Sequence, residues 1–319
     1  MKRVRIAVVG VGYLGRQHVR IYSELPDVDI IAVVDSNPNT LESVAREFHA
    51  HAVLDYRELF GNVDAVSLAV PTTLHASMAC EFLQHGIDVL VEKPIASSIA
   101  EAAAMIESSQ RHQSILQVGH LERFNPAVIA ARKLARSPLF FEVHRLGVFS
   151  SRSLDVDVVF DLMIHDLDVI LDFVQSKVKA VHAVGLPILS HKIDIANARI
   201  EFQNGCVANL TASRVSTEKV RKLRFFQPNE YVSLDYSRQD VVVLTVQPGM
   251  GGKPLITPRK LETPHVEPLR EEIKSFLEAV RGRTAPEVSA ESSKAALELA
   301  QAVVEGIHVH AELLPISSK

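Results

Sequence analysis

A glycine pattern that follows the first apolar segment constrains this chain most. Residues 4–9 are apolar and largely β-branched, which predicts a buried strand, and residues 13–25 have the spacing of a helix. Between them, residues 10–15 read G-x-G-x-x-G, and Asp35 ends the next predicted strand. The pattern is weak by itself, but a preceding strand, a following helix and a later acidic residue are the context of a dinucleotide-binding unit. A glycine turn that serves packing alone is the alternative.

The three glycines have separate roles in such a unit. Gly10 permits the tight turn, Gly12 lets the backbone approach a pyrophosphate, and Gly15 lets helix and strand pack closely. The phosphates would lie at the positive end of the helix. Asp35 would accept hydrogen bonds from both hydroxyls of the adenosine ribose and repel the 2′-phosphate of NADP, so NAD is the expected cofactor. The predicted contacts are Gly10, Gly12, Tyr13, Leu14, Gly15, Asp35, Ser36 and Asn37.

Strand and helix patterns alternate as far as about residue 119. The strands are near-continuous apolar segments, which predicts a parallel sheet covered by helices on both faces. Further strands are predicted at residues 30–34, 65–70, 87–91 and 115–118. Helices are predicted at residues 40–48, 73–84 and 99–111.

The second half of the chain has a different pattern. Helices are predicted at residues 126–135 and 159–174, and consecutive strand-like segments then predict one large, mostly antiparallel sheet. These segments are residues 180–184, 195–202, 206–212, 220–226, 231–234 and 241–246. Asn204-Gly205 predicts a hairpin turn between two of them. Residues 247–268 are predicted as a loop, followed by helices at 269–280 and 290–310.

The predicted fold class is therefore α/β with two domains, as the length of 319 residues suggests. Residues 1–120 form a doubly wound, parallel Rossmann sheet that binds the dinucleotide. Residues 121–319 form a substrate-binding and oligomerisation domain with a large open-faced sheet. The sequence does not decide whether the C-terminal helices pack back on the first domain.

Composition excludes several classes of partner. The chain has 34 Lys and Arg against 38 Asp and Glu, and a net charge of -4 does not steer it to nucleic acid or an anionic membrane. No uncharged apolar segment reaches the roughly 18 residues of a spanning helix, and Arg5 interrupts the only segment that resembles a signal peptide. Cys80 and Cys206 are far apart and predict free thiols, which favours the cytoplasm.

Two charged residues follow the predicted strand at residues 87–91. Glu92-Lys93-Pro94 lies at the carboxyl end of a parallel strand, where ligands bind in open α/β sheets. A desolvated lysine there polarises a substrate hydroxyl. A surface Glu–Lys pair is the alternative, and position alone does not decide between them.

The predicted helix at residues 159–174 carries acidic residues and a histidine. Asp161 and His165 are four residues apart and share one face, and Asp168 lies near it. Histidine is a natural general base for an alcohol, with Asp161 orienting the imidazole or holding a sugar hydroxyl. A core histidine paired with a carboxylate is the alternative. No further ligand has recognisable spacing for zinc or manganese, so no metal is expected.

The chain resembles the glucose-fructose oxidoreductase, inositol dehydrogenase and rhizopine catabolism family (Gfo/Idh/MocA) over essentially its full length. The matching pieces are residues 10–15, Asp35, Pro71-Thr72-Thr73-Leu74-His75, Glu92-Lys93-Pro94 and Asp161-x-x-x-His165. The resemblance implies a Rossmann domain, followed by a domain whose open-faced sheet often builds dimers or tetramers.

The resemblance also implies residue roles. Lys93 would contact the nicotinamide ribose and the substrate hydroxyl, His165 would be the general acid/base, and Asp161 would complete the group. Met163 departs from the pattern, because many members have glycine there. His18 matches a residue often seen on the first helix and is interpreted as structural. Residues expected near the nicotinamide end are Pro71, Thr72, His75, Glu92, Lys93 and Gln117.

Residues 119–126, with 161–168, are similar to the branch of this family that oxidises C3 of UDP-N-acetylglucosamine. That branch makes the 3-keto sugar which an aminotransferase converts for lipid A or related glycans. Arg123 and Asn125 would then face the substrate, and an interdomain salt bridge is the alternative for Arg123. A basic segment lies near a predicted sheet edge and comprises Arg214, Lys219, Arg221, Lys222 and Arg224. It would contact the nucleotide sugar, or it is a solvated strand face or a contact with another subunit.

The expected function is NAD-dependent oxidation of a sugar hydroxyl to a ketone. The substrate is a sugar or nucleotide sugar, with C3 of UDP-N-acetylglucosamine preferred over a free polyol such as myo-inositol. A non-catalytic, NAD-binding regulatory protein is the alternative from another class. A homodimer or homotetramer through the C-terminal sheet is expected.

Overall fold

The computed structural model describes residues 3–149, 156–249 and 253–312. The chain divides into two compact units, Met1–Leu121 with Glu267–Lys294, and Glu122–Val266 with Ala295–Lys319. The first break lies next to the boundary expected from the sequence. Residues 267–294, which the sequence pattern places after that boundary, group with the first unit.

The first unit contains a six-stranded parallel sheet in the order β3-β2-β1-β4-β5-β6. Its strands are β1 Val4–Val9, β2 Val28–Val34, β3 His51–Val53, β4 Ala65–Leu68, β5 Asp88–Glu92 and β6 Leu116–Gly119. Its helices begin with α1 Tyr13–Ser23, α2 Pro38–Phe48, α3 His75–Gln84 and α4 Ile99–His112. The strand order reverses between β1 and β4, which is where ligands bind in doubly wound sheets. The predicted α/β fold is confirmed.

The second unit contains an eight-stranded sheet in the order β14-β13-β12-β11-β7-β10-β9-β8. Only its β7–β10 pair is parallel. Its strands are β7 Phe140–Leu146, β8 Val178–Leu186, β9 Ile195–Phe202, β10 Val207–Ser213, β11 Val220–Gln227, β12 Glu230–Asp235, β13 Asp240–Pro248 and β14 Pro254–Leu261. Its helices include α5 Pro126–Leu134 and α6 Ile164–Val174. Of the last two helices, α7 Pro268–Gly282 belongs to the first unit, and α8 Ala290–Glu312 begins in the first unit and continues in the second. The predicted large, mostly antiparallel sheet is therefore confirmed.

Alternation along the strands gives this sheet one buried face. Phe141 and Val143 of β7 lie with Phe225 of β11 and Phe173 of α6 in a single core. The residues between them point to the other face and are half-buried, as a sheet covered on one side requires. The Asn204-Gly205 turn joins β9 to β10, and Gly205 has φ +86°, which confirms the predicted hairpin.

Two strands of the large sheet differ from the sequence pattern. The loop predicted at residues 247–268 is wrong, because it contains β14. Pro254 and Pro258 hid this strand, and β14 accommodates them because it is an edge strand, where prolines are tolerated. Strand β7 was missed because Glu142, His144 and Arg145 interrupt its apolar pattern. Of the helices in the described part of the chain, none combines the length and apolar character needed to cross a bilayer.

Candidate active site

The glycine loop after β1 has two glycines that packing requires and one that faces open space. Gly10 has φ +83°, and a Cβ there would lie 2.6 Å from the Ala69 carbonyl oxygen. A Cβ on Gly15 would lie 1.8 Å from the Gly10 carbonyl oxygen. At Gly12, no described atom lies within 4 Å of an added Cβ. Gly10 and Gly15 therefore let α1 approach the sheet, and Gly12 leaves room for a ligand against the backbone.

The start of α1 fits an anionic ligand. Gly12 occupies the N-cap position and no side chain caps the helix, and its first turn has no acidic residue. The first backbone bond inside the helix runs from the Arg16 amide to the Gly12 carbonyl at 3.0 Å. The earlier amides point along the positive end of the helix dipole, where phosphates bind. Tyr13 is exposed and Leu14 is half-buried in this turn.

The Asp35 carboxylate is fixed beside this loop. Its two oxygens accept hydrogen bonds from the backbone amides of Val11 at 2.9 Å and Asn37 at 2.8 Å. The Asn37 side chain caps α2, and Ser36 between them is exposed. Each carboxylate oxygen retains a lone pair, so the geometry fits the two ribose hydroxyls that the sequence predicts for it.

Residues 71–75 follow β4 and connect the loop after β4 with the loop after β5 through hydrogen bonding at His75. Pro71 precedes a short 3₁₀ turn at Thr72–Leu74. His75 is buried, and its ring nitrogens lie 2.9 Å from the Val70 carbonyl and 3.0 Å from the Pro94 carbonyl. Burial lowers the pKa of His75, so the neutral ring donates to one of the two carbonyls. The cofactor contacts implied for Pro71, Thr72 and His75 stay predictions.

Glu92, at the end of β5, belongs to a buried hydrogen-bond network. Its Oε1 lies 3.0 Å from Nε2 of His18, whose Nδ1 lies 3.1 Å from the Ser67 hydroxyl. The Tyr22 hydroxyl lies 2.8 Å from the same Ser67 oxygen. The network is almost fully buried, which fixes the end of β5 and the start of the loop at Lys93. Lys93 itself is half-buried, and its peptide bond to Pro94 is cis.

A second buried carboxyl group near Glu92 was missed in the sequence. Glu272 of α7 is fully buried, and neither of its carboxyl oxygens has a hydrogen-bond partner among the described residues. Burial, together with the charge of Glu92, raises the pKa of Glu272 well above its ordinary value, so it is a neutral acid. Gln117 is also buried and donates from Nε2 to the Glu272 backbone carbonyl at 3.2 Å. The available signal was an acid on the apolar face of α7, between Leu269 and Phe276.

Asp161 and His165 lie at and just before the start of α6 in the second unit. Asp161 belongs to a π-helical turn, Val159–Met163, and the Ile164 amide donates to the Val159 carbonyl. His165 follows in the first turn of α6, and both side chains are half-buried. Single π-turns are typical of functional sites because they reposition side chains locally. Met163, where many family members have glycine, is buried in the core.

A buried ion-pair cluster fixes the residue next to His165. Arg145 of β7 donates to both oxygens of Asp166, at 2.6 and 2.9 Å, and to Glu122 at 3.0 Å. Its guanidinium carbon lies 4.9 Å from the ring centroid of Tyr236. Such a bidentate, hydrogen-bonded pair is the geometry that makes buried charges tolerable. The cluster therefore holds the start of α6 against the sheet.

Arg123 and Asn125 have partners inside the second unit. Arg123 lies 2.9 Å from Asp172 and 3.7 Å from Asp168, so the salt bridge is made to α6 within one unit. Asn125 caps α5 through its Oδ1, and its Nδ2 donates to Glu122 and to the Tyr236 carbonyl. The substrate contacts that the resemblance implies for both residues stay predictions.

The residues that the structure describes contain no group of three or more His, Cys, Asp and Glu side chains arranged to hold a metal ion, at Asp161 and His165 or elsewhere.

Comparison with known proteins identifies this architecture. Residues 4–120 match the model of an oxidoreductase family with an NAD-binding Rossmann fold, and residues 140–227 match the GFO/IDH/MocA C-terminal domain. UDP-N-acetylglucosamine 3-dehydrogenase of Acidithiobacillus ferrooxidans is 36% identical over 282 residues, which cover 88% of this chain and 90% of that protein. The chain belongs to the Gfo/Idh/MocA oxidoreductase family. The predicted family, the NAD-binding domain and the oxidoreductase class are confirmed.

Solved structures of Gfo/Idh/MocA proteins have the same architecture. That of UDP-N-acetylglucosamine 3-dehydrogenase GnnA from Acidithiobacillus ferrooxidans matches with a TM-score of 0.90 and 32% identity, covering 97% of this chain and 99% of that one. Levoglucosan dehydrogenase, in complex with NADH and levoglucosan, matches with a TM-score of 0.86, 18% identity and coverage of 97% and 98%, which shows the shared fold. The scyllo-inositol 2-dehydrogenase (NAD(+)) of Bacillus subtilis is 28% identical, with 67% of this chain and 68% of that protein covered.

Two glycine substitutions separate packing from cofactor binding. Gly15→Ala places a Cβ against the Gly10 carbonyl, so we expect it to lower the free energy of unfolding by about 3 kcal/mol. Gly12→Ala adds a methyl group in open space, so we expect a near-normal free energy of unfolding and roughly tenfold weaker NAD binding. Urea denaturation and calorimetric NAD titration measure the two effects. Normal NAD affinity in Gly12→Ala contradicts the assigned role.

Replacement of Glu272 tests its protonation. The folded protein keeps a proton on Glu272 that the unfolded chain loses above pH of about 4.5, so stability falls as the pH rises past that value. Glu272→Gln has no proton to lose. We therefore expect the variant to be more stable than the wild type by an amount that increases with pH. Above pH of about 4.5, the difference in unfolding free energy should grow by at most about 1.4 kcal/mol per pH unit. Denaturation at several pH values measures this, with Glu278→Gln at an exposed position of α7 as the control. A gain that does not change with pH contradicts the neutral acid.

Proposed function

We propose that this protein oxidises a hydroxyl group of a nucleotide sugar to a ketone with NAD, and that its substrate is UDP-N-acetylglucosamine, oxidised at C3. The observation that carries the proposal is 36% identity to UDP-N-acetylglucosamine 3-dehydrogenase across 90% of that enzyme. Support comes from the charged residues of the family motifs, Lys93, Asp161 and His165, which are all present in this chain.

The proposed chemistry divides between the two units. The acceptor for the hydride that leaves the carbon under oxidation would be supplied by NAD, when it is bound in the first unit. His165 takes the proton of the hydroxyl group, and Asp161 orients the imidazole. The Lys93 ammonium stabilises the negative charge that develops on the oxygen. Gly12 and Asp35 hold the pyrophosphate and the adenosine ribose of the dinucleotide, consistent with the open space and carboxylate geometry described above.

Free polyols are a less supported substrate class. The scyllo-inositol 2-dehydrogenase of Bacillus subtilis is 28% identical over 67% of this chain, which is lower in both respects than the similarity to the nucleotide-sugar enzyme. An assay of myo-inositol beside the nucleotide sugar compares the two classes directly.

The proposal includes a homo-oligomer and a cytoplasmic location. The face of the large sheet away from the core carries exposed apolar side chains, among them Phe226, Val246 and Ile256. Exposed apolar side chains that share one face of a sheet are consistent with a protein interface there. Two free cysteines are consistent with a reducing compartment.

Activity with purified protein tests the function. Mixing the wild type with NAD and UDP-N-acetylglucosamine should give NADH, followed by its absorbance. Lys93→Ala and His165→Ala should lower turnover by roughly 10²–10⁴-fold, because each removes a group that acts on the transition state. NAD affinity should remain, since neither side chain binds the pyrophosphate.

His112→Ala is the matched control, because His112 is exposed at the end of α4. It should retain wild-type turnover. Wild-type turnover in Lys93→Ala or His165→Ala would overturn the assigned roles. NADH formed from myo-inositol and not from the nucleotide sugar would move the protein to the polyol class.

A further inference from the structure

Arg221 is a half-buried arginine for which no hydrogen bond or ion pair is found among the residues that the structure describes. It is the second residue of β11 and lies opposite Arg145 of β7 in the antiparallel register. Alternation places its side chain on the same face as Leu223 and Phe225, which belong to the core beneath the helices. The guanidinium therefore points to the face of the sheet that carries α6.

The neighbours of Arg221 explain why it is held there without a hydrogen bond. Arg145 is surrounded by the carboxylates of Asp166 and Glu122 and uses its donors on them. One guanidinium faces two carboxylates, so the cluster has an excess negative charge that a second cation balances. Arg221 is within electrostatic range of both carboxylates, yet neither is a hydrogen-bond partner.

Arg221 also lies within electrostatic range of Asp161, the acid on the π-helical turn. Burial, followed by the like charge of Arg145, lowers the pKa of the Arg221 guanidinium. Since no hydrogen bond or ion pair in the described residues uses the Arg221 guanidinium, its N–H donors are available to a ligand.

The other cations of the basic segment are placed differently. Arg224 points to the opposite face of the sheet and pairs with Glu142 at 2.8 Å. Lys222 shares that face, and Lys219 is exposed before β11 begins. Arg214 is buried beside Asp194. Arg221 differs from Arg224 and Arg214 in having no carboxylate as a hydrogen-bond or ion-pair partner among the described residues, although it lies within electrostatic range of Asp161.

We propose that Arg221 binds a phosphate group of the nucleotide-sugar substrate and so selects nucleotide sugars over free sugars. The inference rests on the proposed function and deepens it. A planar guanidinium with unused, parallel N–H donors matches two phosphate oxygens, and a charge-assisted pair of this kind is among the stronger polar contacts. Binding at this position would bring the sugar near Asp161.

The test compares three variants with UDP as the probe. Arg221→Met removes the charge, Arg221→Lys keeps the charge without the bidentate geometry, and Arg224→Met is the matched control on the opposite face. In the presence of NAD, we expect the dissociation constant of UDP to rise roughly 10–100-fold in Arg221→Met and less in Arg221→Lys. Arg224→Met should stay within about twofold of the wild type. The KM for UDP-N-acetylglucosamine should follow the same order, while NAD affinity is unchanged.

Several outcomes overturn the inference. The inference is wrong if Arg221→Met binds UDP as strongly as the wild type. It is also wrong if Arg221→Met lowers kcat while UDP binding is unchanged, because Arg221 would then act on Asp161. If Arg221→Met does not fold, Arg221→Lys decides the question, since a role in charge balance alone predicts unchanged UDP binding. Wild-type protein that binds UDP through Arg221 but forms no NADH would refute the proposed reaction and leave this inference standing.

Discussion

Buried charge in each unit constrains the residues proposed to carry the chemistry. In the first unit, Glu92 is held by His18, and the lysine of the proposed reaction follows it directly. In the second, Asp166 is held by two nitrogens of Arg145, Nε and Nη2, and the histidine of the proposed reaction precedes it directly. A buried charge that loses such a partner is strongly destabilising, so separating either pair costs free energy. Each pair therefore stays in place and fixes the backbone of its sequence neighbour. A functional side chain beside a fixed one loses little freedom when it binds a ligand.

The two units use different physical means for their tasks. The first presents backbone amides, an open space at Gly12 and one oriented carboxylate at Asp35, which suit the phosphates and ribose of a dinucleotide. The second presents titratable and cationic side chains, Asp161, His165 and Arg221, which suit proton transfer and an anionic substrate. Backbone dipoles bind a phosphate without moving a proton, whereas oxidation of an alcohol requires a group that takes one.

Most elements were predictable because their signals are local. The glycine loop, the strands of the parallel sheet and the Asn204-Gly205 hairpin depend on periodicity and turn chemistry within a few residues. Strand β7 was not predictable, because it carries Glu142, His144 and Arg145, and only its central position in the sheet makes such a strand stable. Strand β14 was hidden by its prolines, which an edge position tolerates. Pattern reading therefore failed where the environment of a strand, and not its own residues, decides its state.

The sequence by itself determined the α/β class, the family motifs and the identity of the residues proposed to act. The tertiary structure alone decided which polar residues have partners. Arg123 pairs with Asp172 of α6 and Asn125 caps α5, two contacts that the sequence does not reveal, while the substrate contacts predicted for both residues stay predictions. Neighbours far away in the chain make Glu272 a neutral acid, and they leave Arg221 a cation without a hydrogen bond to any residue that the structure describes. The physical reason is that the free energy of a charge depends on the groups and solvent around it, and only folding brings those groups together.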